Sequence, residues 1–154
     1  MDFEYLNPGD QPALLAISNC DGRANVQNLV TGLAYKVHLA GDHGEFTQQF
    51  NAVQYQLVVM EECFAAPSAA ENKSLQFLQR LPMGQRRHTT VLLLGANFQS
   101  LNPWQAYARS VHAVVNQLDL PSLGQIIRMV AADNGTFLSA YRETQQRLLR
   151  GERR

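Results

Sequence analysis

The segment Tyr55–Phe64, YQLVVMEECF, constrains the fold more than any other part of the chain. Its centre, Leu57–Met60, is apolar at four consecutive positions, without the alternation that a sheet with one wet face imposes. A run so short, and holding β-branched residues, suits a strand covered on both faces, as in a parallel sheet packed between helices. It stops at two adjacent carboxylates, Glu61 and Glu62. Open α/β sheets place their chemistry at such carboxyl ends. Adjacent residues leaving a strand point in opposite directions, so the two carboxylates do not read as a paired general acid and base.

Three further runs have the same character: Pro12–Ile17 (PALLAI), Thr90–Leu94 (TVLLL) and the short Ala113–Val115. Tyr35–Ala40 (YKVHLA) alternates instead and belongs nearer a sheet edge. Between the strands lie stretches of helical period. After a break at Ser18–Gly22, one face carries Val26, Leu29, Val30 and Leu33. A turn at Gly41–Gly44 precedes a helix marked by Phe46, Phe50 and Val53, and a third helix carries Leu75, Leu78 and Leu81 up to Pro82. Asn102-Pro103 form an N-cap and first-turn pair for a fourth helix through Trp104, Tyr107 and Ala108. From Ser122 onward, Ile126, Met129, Val130, Phe137 and Tyr141 predict a long last helix, kinked or interrupted at Asn134-Gly135.

Strands and helices therefore alternate five times. Each parallel crossover is right-handed and needs a helix. The expected fold is α/β: a three-layer, doubly wound (βα)5 flavodoxin-like arrangement with strand order 2-1-3-4-5. That order sets Ile17-Ser18-Asn19 across a crevice from Glu61-Glu62. Residues 1–11, with turn chemistry at Asn7-Pro8-Gly9-Asp10, read as a lead-in, 12–149 as the domain and 150–154 as a polar tail. The whole stretch Arg142–Arg154 is polar enough to project beyond the body.

Lys+Arg 13 balance Asp+Glu 13, so no global field favours nucleic acid or an anionic membrane. No apolar run approaches the ~20 residues that cross a bilayer, and the acidic, polar start is unlike a secretory signal. Two cysteines, Cys20 and Cys63, without metal spacing suit a reducing cytoplasm and are expected as small buried hydrophobes. His38, His43, His88 and His112 lack ligand spacing and are expected at surface or turn positions; Arg86-Arg87-His88 reads as part of a solvated loop. Gly95-Ala96-Asn97 follows a strand but lacks the glycine pattern and lysine of a phosphate loop. No cofactor or metal is expected.

Element order and hydrophobic pattern from about Pro12 to Leu149 resemble the receiver domain of bacterial two-component response regulators. The segments FLQRLPM (77–83), VLLLG (91–95) and SVHAVVN (110–116) are similar to a divergent receiver-like group. The resemblance implies an aspartate phosphoacceptor ending the third strand, an acidic Mg²⁺-binding pair after the first, a Ser/Thr after the fourth and a Lys after the fifth. Mg²⁺ needs hard oxygen ligands, and the hydroxyl and ammonium neutralise developing charge. Here the phosphoacceptor position holds Glu61, whose extra methylene moves the oxygen by more than ~1 Å, enough to cost about 100-fold. The acidic pair falls on Ser18-Asn19, or on Ile17-Ser18; the Ser/Thr position holds Gly95; the Lys position holds Asn116, followed by Gln117. The implied function is a pseudo-receiver, not an enzyme, that works through a protein partner or a homodimer, with Glu61 as a fixed charge. The receiver face of fourth helix, fifth strand and fifth helix makes Trp104, Tyr107 and Arg109 interface candidates, though helical aromatics there, Phe98 included, equally suit a core. Two alternatives remain: an atypical phosphorylatable receiver of a phosphorelay with a metal site from Asp21, Glu61 and Glu62, and a small-ligand-binding flavodoxin-like domain using the same crevice.

Overall fold

In the computed structural model, which describes residues 6–151, the apolar runs become one five-stranded parallel sheet. Its strands are β1 (Pro12–Ala16), β2 (Lys36–Leu39), β3 (Leu57–Glu61), β4 (Thr90–Gly95) and β5 (Ala113–Asn116). Their order is β2-β1-β3-β4-β5, as expected. The connecting helices are α1 (Cys20–Gly32), α2 (His43–Ala52), α3 (Lys73–Arg80), a four-residue α4 (Met83–Arg86), α5 (Pro103–Arg109) and α6 (Leu123–Leu149).

The unbroken apolar runs are explained by the two cores they serve. Successive side chains of a strand face opposite sides. Leu15, Leu57, Val59, Leu92 and Val115 pack with Val26 and Val30 of α1 and Ile126, Ile127 and Val130 of α6. Leu14, Val58, Met60, Leu93 and Val114 pack on the other face with Phe46 of α2, Leu75 and Leu78 of α3 and Ala106 of α5. Registers such as Leu15 with Val59 and Val59 with Leu92 hold equivalent side chains in rows across the sheet.

Several local expectations need correction. Helix α1 starts at Cys20, inside the expected break, because the Asn19 side chain accepts the Asp21 and Gly22 N–H groups at 3.0 and 3.4 Å. Likewise α2 starts within the expected turn, capped by Asp42, which accepts the Glu45 N–H at 2.8 Å. The loop expected around Arg86-Arg87-His88 begins instead with α4, started by the rigid Pro82, whose carbonyl accepts from both Gln85 and Arg86 at 2.9 Å. Both cysteines are exposed rather than buried: Cys20 opens α1 and Cys63 sits in the loop after β3, where Phe64 takes the packed position.

His38 is buried on edge strand β2, not at the surface, and shares a 2.7 Å hydrogen bond with the Tyr55 hydroxyl. The Asn134-Gly135 pair neither kinks nor ends α6, which runs 27 residues, about 40 Å, to Leu149. Asn134 is tied into the fold through its side chain, donating to the Thr90 hydroxyl at 2.9 Å. Of the residues proposed to mark the buried stripe of α6, Ile126 and Val130 are buried but Met129 and Phe137 are exposed. Residues 142–149 extend as exposed helix, so that part of the chain projects, in helical form. No helix among the described residues is long and apolar enough to cross a membrane.

Candidate functional site at the carboxyl ends of β1 and β3

The register that pairs Ala16 with Met60 brings the ends of β1 and β3 together. Glu61 is the last residue of β3, and its carboxylate accepts the Asn19 backbone N–H at 3.2 Å. It thus joins Asn19 in satisfying the amino end of α1, where a negative charge is favoured. Glu62 leaves the strand the other way. Its carboxylate lies 3.7 Å from the Arg109 guanidinium at the end of α5. The divergence expected of neighbouring residues is what keeps the two carboxylates from sharing one ligand.

Ser18 and Asn116, which line the same end of the sheet, are engaged in structural hydrogen bonds. The Ser18 hydroxyl accepts the Ala65 N–H at 2.9 Å, pinning the loop after β3 to the end of β1. His43 supports the same loop. Its Nδ1 meets the Ser74 hydroxyl at 2.7 Å and its Nε2 meets the Ala65 carbonyl at 3.2 Å. Asn72, fully buried, donates to the carbonyls of Glu61 and Glu62 at 3.2 and 3.0 Å while its oxygen caps Leu75 at 3.1 Å. Asn116 donates to the Ala96 and Phe98 carbonyls at 3.2 and 2.8 Å and accepts the Leu118 N–H at 2.9 Å. Its own N–H goes to the Ser100 hydroxyl, which in turn donates to Asp119. Asn72, Ser100 and Asp119 gave no signal in one dimension, because their partners are distant in sequence or are backbone atoms.

Gly95 is where the structure is least permissive. A Cβ there would lie 2.8 Å from the Phe98 ring and 3.1 Å from a Glu62 carboxylate oxygen. The aromatic ring, itself buried, fills the space that a hydroxyl-bearing side chain would need. The remaining hollow beside Glu61 is about 130 Å³, lined by Ile17, Asn19, Leu94 and Leu120 among others. That is below the ~300–1,000 Å³ of ordinary small-molecule sites. Asp21, Glu61 and Glu62 do not assemble into a metal-ligand set, and among the described residues no three His, Cys, Asp or Glu side chains do.

Solved structures supply the parallel. A chemotaxis response regulator of Vibrio cholerae aligns at 14% identity over 79% of this chain and 98% of its own, with TM-score 0.63. The signal receiver domain of an HD-domain protein from Pseudomonas fluorescens aligns at 18% identity over 82% and 98%, with TM-score 0.63. This chain has the receiver fold. A response regulator of Thermotoga maritima gives 13% identity, 80% and 98% coverage and TM-score 0.61. These receiver structures are matched almost whole, leaving about a fifth of this chain outside the alignments. No protein-family model matches the chain, and no match is found among curated proteins.

The interface candidates separate within the receiver fold. Trp104 and Tyr107, one turn apart on α5, are 79% and 82% exposed, so neither belongs to the core. Phe98 does. Arg109 is drawn back towards Glu62, and its carbonyl accepts from Gln79 at 2.9 Å. The basic cluster after α3 also divides. Arg86 is buried rather than solvated and donates to the Ser110 carbonyl, while Arg87 lies 4.0 Å over the Tyr141 ring. His112, beside them, accepts the Val91 N–H on Nδ1 at 3.0 Å.

Proposed function

We propose that the chain is a receiver-like signalling domain that acts by protein contact and carries out no phosphotransfer of its own. The observation that carries this reading is the Phe98 ring packed on Gly95, at the position where the resemblance asks for a hydroxyl. Its support comes from the neighbouring positions. Ser18 and Asn19 offer no carboxylate and are engaged with Ala65 and the first turn of α1. The Asn116 carboxamide is consumed by two loop carbonyls and a backbone N–H, and it has no charge with which to neutralise a phosphoryl group.

On this reading Glu61 is a permanent negative charge that holds α1, and Glu62 links the strand end to α5 through Arg109. The contact surface is then the α5 side of the molecule, where Trp104 and Tyr107 stand out from the body. Exposed aromatics of this size are the residues that anchor protein interfaces. A homodimer or a larger signalling assembly is the partner class, in a cytoplasmic setting, with neither nucleic acid nor membrane involved.

The deciding experiment is incubation with acetyl phosphate and Mg²⁺, followed by intact-mass measurement. The expected outcome is an unchanged mass. A stable phosphoryl adduct that disappears in Glu61→Gln would overturn the proposal and restore an atypical phosphorylatable receiver.

A further inference from the structure

A second cavity, of about 390 Å³, lies between α4, the segment entering β5 and α6. It is at the opposite end of the sheet from Glu61, since Ser110–His112 precede β5 whereas Asn116 ends it. Met83, Val111 and Phe137 form apolar walls, with Met83 and Phe137 63% and 61% exposed. Arg86 lines this cavity although it is only 8% exposed.

That arginine is chemically incomplete. One of its nitrogens donates to the Ser110 carbonyl, and its buried Nε has no partner. Among the described residues no carboxylate forms an ion pair with it; Asp133 lines the same cleft without doing so. A guanidinium carries five donors and keeps its charge when buried. Burying such a charge without a counter-charge is strongly unfavourable, so it marks a place where an anion fits. The cleft around it sets the apolar Met83, Val111 and Phe137 beside polar groups, Arg87, His112, Asp133 and Asn134 among them, and apolar walls with a few placed polar groups are the make-up of small-molecule sites.

We propose that this cleft binds a small organic carboxylate, its anionic head on Arg86 and its apolar body between Met83, Val111 and Phe137. The site is separate from the receiver crevice and does not rest on how that crevice functions. The charged head and the apolar body are both required: Arg86 supplies the positive charge that a carboxylate answers, and the walls supply burial.

The test is an NMR titration that follows the Arg86 Nε–Hε signal and the amides of Ser110–His112. The probes are hexanoate, its neutral analogue hexanamide, inorganic phosphate and the capped peptide acetyl-Leu-Glu-Leu-amide. Saturable shifts with hexanoate and none with hexanamide are expected. Arg86→Met should weaken hexanoate at least about tenfold, the worth of one charge-assisted hydrogen bond. Phe137→Ala, at an exposed position that leaves the fold intact, should weaken it several-fold. Equal response to hexanoate and hexanamide, or no saturation by about 10 mM where a millimolar site would be filled, overturns the proposal. Phosphate binding as well as hexanoate would reduce the cleft to a simple anion site. Saturation by the peptide alone would assign it to the acidic segment of a partner protein.

Discussion

At the scale of single residues, two positions are held by neighbours that leave no alternative. Gly95→Ser would restore the hydroxyl that the receiver resemblance asks for, but its Cβ meets the Phe98 ring at 2.8 Å. Overpacking of that kind costs about 1–3 kcal/mol. Urea unfolding should show Gly95→Ser destabilised by that amount, and acetyl phosphate should still add nothing to it. The second position is His112. Desolvation, and then the charge of Arg86, push its pKa down to about 4, against an opposing hydrogen bond with Asn134. The imidazole must also stay unprotonated at Nδ1 to accept the Val91 N–H. The unfolded chain, with its ordinary value of 6.5, therefore binds the proton first. The contribution of His112 is complete above about pH 6.5 and is lost as the pH falls towards 4. The melting temperature should fall less steeply over that window in His112→Gln than in the parent. The receiver resemblance pointed to Glu61, Gly95 and Asn116 as the positions to compare. What packs and bonds at those places was not legible, because the Phe98 ring on Gly95 and the hydrogen bonds of Ser18 and Asn116 are contacts that no periodicity encodes.

At the scale of elements, the strands were the legible part, since a strand buried on both faces must be apolar at every position. Helix ends were less so. The side chains of Asn19 and Asp42 draw α1 and α2 back into segments that composition marks as turns. Helix α6 survives Asn134-Gly135 because one interior glycine costs only about 1 kcal/mol, while Asn134 fastens it to β4. His38 illustrates the general limit: a polar residue looks exposed until the partner that lets it be buried is known, here Tyr55. The exit of α1 offers a test of element-level reasoning. Ala34 follows the helix in the left-handed region, at φ 71°, on an exposed surface. A Cβ in that conformation costs roughly 1–2 kcal/mol, partly offset by the added freedom of glycine when unfolded. Ala34→Gly should stabilise the protein by about 0.5–1 kcal/mol, raising the melting temperature by a few degrees.

At the scale of the molecule, the proposed contact surface makes its own prediction. If α5 carries the interface, the protein self-associates with rising concentration in sedimentation velocity. Trp104→Ala with Tyr107→Ala should then shift the midpoint at least about thirtyfold, as loss of an aromatic hot spot worth ~2 kcal/mol implies. A parent that stays monomeric, with the double variant indistinguishable from it, removes the homodimer and leaves only a different protein as partner. The long α6 has a separate consequence. It runs back past the base of the sheet, where Arg142 meets His88 at 3.2 Å, and Gln11 enters at the same base, its carbonyl bonded to the Lys36 N–H at 2.8 Å. The entry to β1 and the late turns of α6 thus lie at one pole, and Glu61 occupies the other. The domain can be grafted into a longer polypeptide, or tethered to a surface by either end, with its crevice left facing outward.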